Sequence, residues 1–295
     1  MPVKVFVTDL DNTLYNWVDY FAPAFRAMVL ELQNQTDQLF DLGELPRRYS
    51  FDDLCESFKE VYKRHGTIEY AFAIEELAIW DGVIDVSRSA EFGPIIRPAV
   101  EAFRGIRKET LRLYPGVKET LSKLREAGVK LVAHSDAMLF YVRQRLLLLE
   151  IADLFEAMYA QRDHDISPKA VGTTAYQGFR IPAEHYLNRE ESKPSPAAIL
   201  KIMADFGVAG EETVYVGDSL TKDVRMAQKA GVIDVWASYG KDFKRENWDL
   251  LVKVTPWTPS KVSQAESESD SLIRPSYSIS TFSEVVEPVF TSVAF

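Results

Sequence analysis

The 295-residue sequence has a single cysteine, Cys55, so no disulfide can form within the chain. Its four histidines are scattered, which leaves no Cys/His cluster of the kind that binds zinc. Positive charge is also short: 34 Lys and Arg against 44 Asp and Glu give a formal net charge of −10. With no basic stretch to offset this, a nucleic-acid partner is not expected. A small anionic ligand is compatible, because a few local cations and helix N-termini can hold phosphate inside an acidic protein. Long apolar runs are missing. The richest, around Leu146 to Ile151, is far too short to cross a bilayer and has Arg145 and Glu150 at its ends. No membrane partner is expected. Met1 to Val7 lacks the charged start, long apolar run and cleavage site of a secretory leader, so the cytoplasm is the expected location.

Apolar residues make up 46% of the chain, enough for a sizeable core in one large domain or two modest ones. Val3 to Thr8 is β-branched and apolar apart from Lys4, the pattern of a strand buried on both faces. It runs into the polar cluster Asp9-Leu10-Asp11-Asn12-Thr13, a strand-end loop. From about Asn16 to Gly105 apolar and aromatic residues recur at helical spacing, as in Phe21, Phe25, Met28 and Leu32, with breakers at Gly43, Pro46, Gly66, Gly82 and Gly93-Pro94. This reads as a mostly helical insert.

After Pro115-Gly116 helix and strand alternate. Val117 to Ala127 is expected to be a helix stopped by Gly128. Val129 to Ala133 is a strand leading into His134-Ser135-Asp136, Leu139 to Leu149 is a helix, and Ala157 to Ala160 is a strand. Pro196 to Phe206 is a helix stopped by Gly207. Thr213 to Val216 is a strand ending in Gly217-Asp218, Asp223 to Ala230 is a helix stopped by Gly231, and Ile233 to Ala237 is a strand. Such alternation implies a parallel sheet covered on both faces. Thr255 to Ser276, rich in Ser, Pro and acidic residues, reads as a mobile surface loop. A short strand and helix from about Tyr277 to Val289 close the chain. No internal repeat is present.

Ligands of parallel sheets bind beyond the carboxyl ends of the strands. Asp9/Asp11/Asn12/Thr13, Ser135/Asp136, Lys193 and Asp218/Asp223 fall there or on adjoining loops. Carboxylates converging on one point repel each other unless a cation sits among them, and oxygen-only ligands suit magnesium. A lysine, a hydroxyl and loop amides near Asn12 and Thr13 complete a cradle for a phosphoryl group, whose transfer needs positioning and charge neutralisation. Two aspartates at i and i+2 divide the work: Asp9 as a carboxylate nucleophile, and Asp11 as the acid for the leaving oxygen and then the base for water.

In this order DLDNTLY at Asp9, the strand ending HSD with Ser135, KPSP at Lys193, and VYVGDSLTKD with Asp218 and Asp223 resemble the four motifs of the haloacid dehalogenase superfamily. The resemblance covers residues 1–15 and 106–240 and the position of the insert. It implies an α/β fold: a Rossmann-like, three-layer parallel-sheet core (1–15 and 106–295) with a mostly helical cap (16–105). It also implies Asp9 as nucleophile, Asp11 as acid/base, Ser135 as a phosphoryl-binding hydroxyl and Lys193 as the steadying cation, with Lys169 in Ser167-Pro168-Lys169 as a rival. Asn12, Thr13 and Asp136 complete the substrate-binding set. Magnesium is expected on Asp9, the Asp11 backbone carbonyl, Asp218 and Asp223.

Because a halide leaving group needs no proton and an alkoxide does, Asp11 favours phosphate esters. The expected function is a magnesium-dependent phosphomonoester hydrolase acting on a small phosphorylated metabolite. The alternatives are a 2-haloacid dehalogenase and a catalytically idle phosphate-binding protein. Taken singly, each motif has a plainer reading. DxDxT is a common solvated loop, Asp218 and Asp136 suit helix caps, and His134 suits a packed histidine. The EF-hand reading of Asp9 to Tyr20 fails on Leu14 and Tyr20, which stand where glycine and glutamate are needed. Trp17, Phe21, Tyr70, Phe72 and Trp80 read as helix-packing residues, with Tyr15 and Trp17 the nearest to the first motif. Order and strand-end placement together carry the case.

Overall fold

A computed structural model describes residues 2–69, 73–84, 89–163, 183–266 and 272–291. Tyr70, Phe72 and Lys169 lie outside them. Seven strands form one parallel sheet: β1 (Val5–Thr8), β2 (Lys130–Met138), β3 (Ala157–Gln161), β4 (Ala183–Leu187), β5 (Thr213–Gly217), β6 (Ile233–Ala237) and β7 (Tyr277–Ile279). Their spatial order is β4-β3-β2-β1-β5-β6-β7. β1 therefore lies between β2 and β5, pairing Thr8 with Ala133 on one side and Val216 on the other. The chain builds outward from β1 on one side and then crosses over to build on the other. The crevice beyond the ends of β1 and β5 is the place where such sheets bind ligands.

Strand side chains alternate between faces. Val5, Val7, Val132 and Tyr215 pack against Ile199 and Ile202 of α6 (Ala197–Phe206) and Met226 of α7 (Arg225–Ala230). Phe6, Leu131, Val214 and Val216 face the other way. There they meet Leu121 and Leu124 of α4 (Val117–Glu126), Val142 and Leu146 of α5 (Leu139–Leu148), and Phe282, whose ring stands edge-on to Phe6 at 6.2 Å. Helices on both faces explain why the strands read as near-continuous apolar runs.

The segment after β1 supplies α1 (Trp17–Asp41), α2 (Phe51–His65) and α3 (Ser89–Thr110). Phe25 packs edge-on against Phe58 of α2 at 5.2 Å, and Phe21 against Phe103 of α3 at 5.7 Å. Asn16 caps α1 by accepting from the Asp19 amide, and Ser50 with Asp53 forms a reciprocal cap on α2. Gly93-Pro94 does not break the chain but lies inside α3. The buried stripe Phe92, Ile96 and Ala99 holds that helix together by tertiary packing.

Four further expectations need adjusting. β2 continues through Ser135 and Asp136 to Met138, with a register shift opposite β3 between Ser135 and Met138. The helix expected from Asp223 begins as a wide five-residue turn, Leu220–Val224, before α7. β4 was not expected, because on this sheet edge Leu187 is its one buried residue. The loop expected over 255–276 contains a helix, Pro259–Glu266. Proline suits its first position, and Trp257 and Val262 anchor it to the core.

Candidate active site

Asp9 follows β1 directly, and its amide donates to the carbonyl of Val216 in β5 at 2.9 Å. That bond carries the β1–β5 pairing one residue past the strand and sets the Asp9 carboxylate beside the end of β5. Ligand oxygens of Asp9, Asp218 and Asp223 all lie within 4.8 Å of one another. Asp9 and Asp223 are buried and Asp218 is half-buried. The site thus gathers acids from residues more than two hundred positions apart.

Lys193 enters from the loop before α6. Its Nζ pairs with Asp9 Oδ1 and lies 2.8 Å from Asp223 Oδ1. Burial opposes the ammonium charge, but Asp223 and Asp9 outweigh it and hold Lys193 well above its ordinary range. Burial pushes the Asp9 carboxyl up to about 7, against the pull of Lys193 and with help from Asp223 and Asp11. Asp223 is further fixed by the Tyr215 hydroxyl at 3.2 Å and the Ser219 amide at 3.0 Å. The wide turn after β5 brings it back under Gly217, where a Cβ would stand 2.3 Å from the Asp223 Cγ.

His134 is fully buried, with its Nδ1 3.0 Å from the Tyr215 hydroxyl. Burial and Lys193 hold it well below its ordinary range, so it is a neutral packed ring.

Thr13 donates from its hydroxyl to Asp9 Oδ2 at 3.1 Å, and its carbonyl accepts from Tyr239 at 2.7 Å. Asn12 takes the left-handed conformation, φ 58°, which asparagine tolerates better than most residues. Its side-chain oxygen accepts from the Trp17 amide at 3.0 Å. The Asn12 side chain therefore serves the entry to α1, and the loop amides expected to meet a phosphoryl group are used within the loop: Asn12 donates to the Tyr15 carbonyl at 2.8 Å and Thr13 to the Leu10 carbonyl at 3.2 Å. Ser135 is buried on β2, beside β1, and its hydroxyl accepts from the Ala137 amide at 3.1 Å. Asp136 does not cap α5: the Phe140 amide bonds Asp163 at 2.8 Å. Asp136 accepts from the Lys193 amide at 3.2 Å instead, which ties the lysine loop to β2.

Asp11 faces a different set of partners. It accepts from the Tyr15 hydroxyl at 2.6 Å and from Arg145 of α5, both at Oδ1. Arg145 Nη2 also meets both oxygens of Glu69 at 2.5 Å.

The donor set Asp9, Asp218 and Asp223 is all oxygen, carries three acids against the Lys193 ammonium and lies at strand ends. It fits a hard divalent cation such as magnesium. The family model of the haloacid dehalogenase-like hydrolases matches residues 3–231. The chain belongs to this family.

Among curated members, the glyceraldehyde 3-phosphate phosphatase of Methanopyrus kandleri is 25% identical over 239 residues, covering 81% of this chain and 85% of the relative. The phosphoglycolate phosphatase of Nitrosospira multiformis is 24% identical over 254 residues, covering 85% and 89%. The crystal structure of the 2-haloacid dehalogenase from Pseudomonas syringae pv. Tomato superposes with a TM-score of 0.53 at 18% identity, covering 97% of this chain and 98% of that one. At that identity the likeness is one of fold.

For a hydrolase of this family, the residues that sequence reasoning missed are the second layer: Tyr215, Gly240, Arg145 and Glu69. A Cβ on Gly240 would stand 2.3 Å from the Asn12 carbonyl and 2.4 Å from the Asp218 Cβ, so glycine lets two site loops meet. No local pattern announces these residues. Arg145 reads as the charged end of an apolar run, and only the packing of α5 under the first loop gives it a partner.

Proposed function

We propose that the protein is a magnesium-dependent phosphatase that hydrolyses monoesters of small phosphorylated metabolites through an aspartyl-phosphate on Asp9. The observation that carries this reading is the ammonium of Lys193 held against Asp9 and Asp223 while Asp218 stands within reach of both carboxylates. This supports a pocket built to take a dianionic group next to a buried carboxylate. The names of its relatives, phosphatases of glyceraldehyde 3-phosphate and of phosphoglycolate, support a short phosphorylated substrate.

In the first step an Asp9 carboxylate oxygen bonds to phosphorus as the bond from phosphorus to the ester oxygen breaks. Asp11 gives its proton to that oxygen, and the alcohol leaves. In the second step Asp11 takes a proton from water. The water oxygen bonds to phosphorus, the Asp9–phosphorus bond breaks, and inorganic phosphate departs with the Asp9 carboxylate restored. Lys193 balances charge on Asp9 and on the phosphoryl oxygens throughout. Ser135 binds those oxygens, while the Asn12 and Thr13 amides, held by the carbonyls of Tyr15 and Leu10, shape the loop. Magnesium on Asp9, the Asp11 carbonyl, Asp218 and Asp223 would neutralise the phosphoryl charge. The helices over residues 16–105 serve as the cap, closing the site to bulk water and to bulky esters, over a core of 1–15 and 106–295.

The test is a screen of phosphorylated metabolites with magnesium, run beside Asp9→Asn. Turnover of short phosphate esters by the wild type alone is expected. Equal rates from the two proteins would refute Asp9 as nucleophile.

A further inference from the structure

The two carboxylate oxygens of Asp11 are treated unequally. Oδ1 accepts from the Tyr15 hydroxyl at 2.6 Å and from Arg145 Nη1. Oδ2 accepts from no side chain among the described residues. The two donors are also bonded to each other, since Arg145 Nη1 donates to the Tyr15 oxygen at 3.2 Å. Tyr15 is fully buried and Arg145 is 2% exposed. Neither can swing away without leaving a polar group unsatisfied.

Arg145 is gripped from the far side too. Its Nη2 lies 2.5 Å from each oxygen of Glu69, a residue of the loop after α2. Glu69 in turn accepts from the Trp17 indole at 2.8 Å and is 6% exposed. One guanidinium thus joins the first loop of the core, α5 and the helical layer. Burying an arginine between two acids is a weak way to gain stability, because an apolar replacement of the same volume is often as good. A rigid guanidinium with one nitrogen on each acid does fix direction, and direction is what a proton-transfer group needs.

We propose that Arg145 and Tyr15 are positioning residues: they hold Asp11 by Oδ1 so that Oδ2 is the oxygen that exchanges the proton, and Glu69 keeps Arg145 in register. This rests on the reading of Asp11 as acid and base in phosphate-ester hydrolysis. The proton leaves Oδ2 for the ester oxygen as its bond to phosphorus breaks. It returns to Oδ2 from the water whose oxygen displaces Asp9 from phosphorus. Neither Arg145 nor Tyr15 touches the substrate.

The test uses the full chain with magnesium and a series of phosphate monoesters running from activated nitrophenyl to simple alkyl leaving groups. Tyr15→Phe keeps the ring and its packing and removes one donor. Arg145→Lys keeps the charge and removes the fork. Asp11→Asn is the reference. Positioned general acid help is worth roughly a hundred- to ten-thousandfold, and a misaimed acid forfeits part of it. Tyr15→Phe should lose about tenfold more kcat on alkyl than on nitrophenyl esters, and Arg145→Lys more than that. KM should change little in either variant. Equal losses along the series in both variants, with Asp11→Asn still selective, would overturn the proposal and leave the phosphatase reading standing. Should Arg145→Lys not fold, the slope for Tyr15→Phe decides alone. A wild type that turns over no ester overturns both.

Discussion

Asp9→Asn is expected to make the metal-free protein more stable while removing its activity. Asp9 is 5% exposed, and burial raises its carboxyl from 3.8 to about 7. Below pH 3.8 the group is protonated whether the chain is folded or not, and the buried carboxyl carries no penalty. Between pH 4 and 7 the unfolded chain ionises first, so folding loses stability as pH rises, and above 7 the loss is complete. At 1.36 kcal/mol per pH unit the full loss is about 4 kcal/mol. Asparagine has the same shape without the charge, and Lys193 keeps Asp223 at 2.8 Å. The variant should therefore gain up to about 4 kcal/mol at pH 8 in a chelator, a rise in Tm of roughly 5–15 °C for a chain of this size. The gain should vanish near pH 4. Saturating magnesium should narrow it, since the ion binds the carboxylate far better than the amide. Calorimetry at pH 4, 6 and 8, with and without magnesium, reads all of this. A variant no more stable than the wild type at pH 8 in chelator would refute the reasoning, as would a gain independent of pH.

Two further outcomes are expected. Gly240→Ala puts a methyl carbon 2.3 Å from the Asn12 carbonyl, so the first loop must move. Turnover should fall about a hundredfold and stability by about 1–3 kcal/mol, and normal kinetics would refute the close approach. Ser50→Ala removes the reciprocal cap of α2 at an exposed position. It should cost about 1 kcal/mol in denaturant unfolding and leave kcat unchanged. A drop in kcat would mean that this cap is coupled to the site.

The legible part of this molecule is the part written in single residues or short periods. Val3 to Thr8 shows a buried strand because both of its faces meet helices. Gly207 and Gly231 show helix stops because each adopts the left-handed conformation at its C-cap. Asp9 and Asp218 show strand-end acids because β1 and β5 end there. Less legible is whatever depends on a neighbour across space. The stop of β2 is hidden because its parallel pairing with β3 carries it through the polar residues Ser135 and Asp136. The helix at Pro259 is hidden because its two apolar anchors stand in a polar stretch. Arg145 is a flanking charge in the sequence and a buried keystone in the fold, because the partners of its guanidinium come from 134 and 76 positions away.

The place of β1 has a consequence for synthesis. Its partner strands begin at Lys130 and Thr213, so during translation the first strand waits with bare edges, then with one. At about 5–20 residues per second, roughly ten to forty seconds separate the emergence of Asp9 from that of Asp223. Until β2 and β5 arrive the edges of β1 are open to pairing with another nascent chain, and the acid cluster around Asp9 stays incomplete until Asp223 emerges. A ribosome-bound chain cut short before Asp223 would lack one of the three acids that meet beside Asp9.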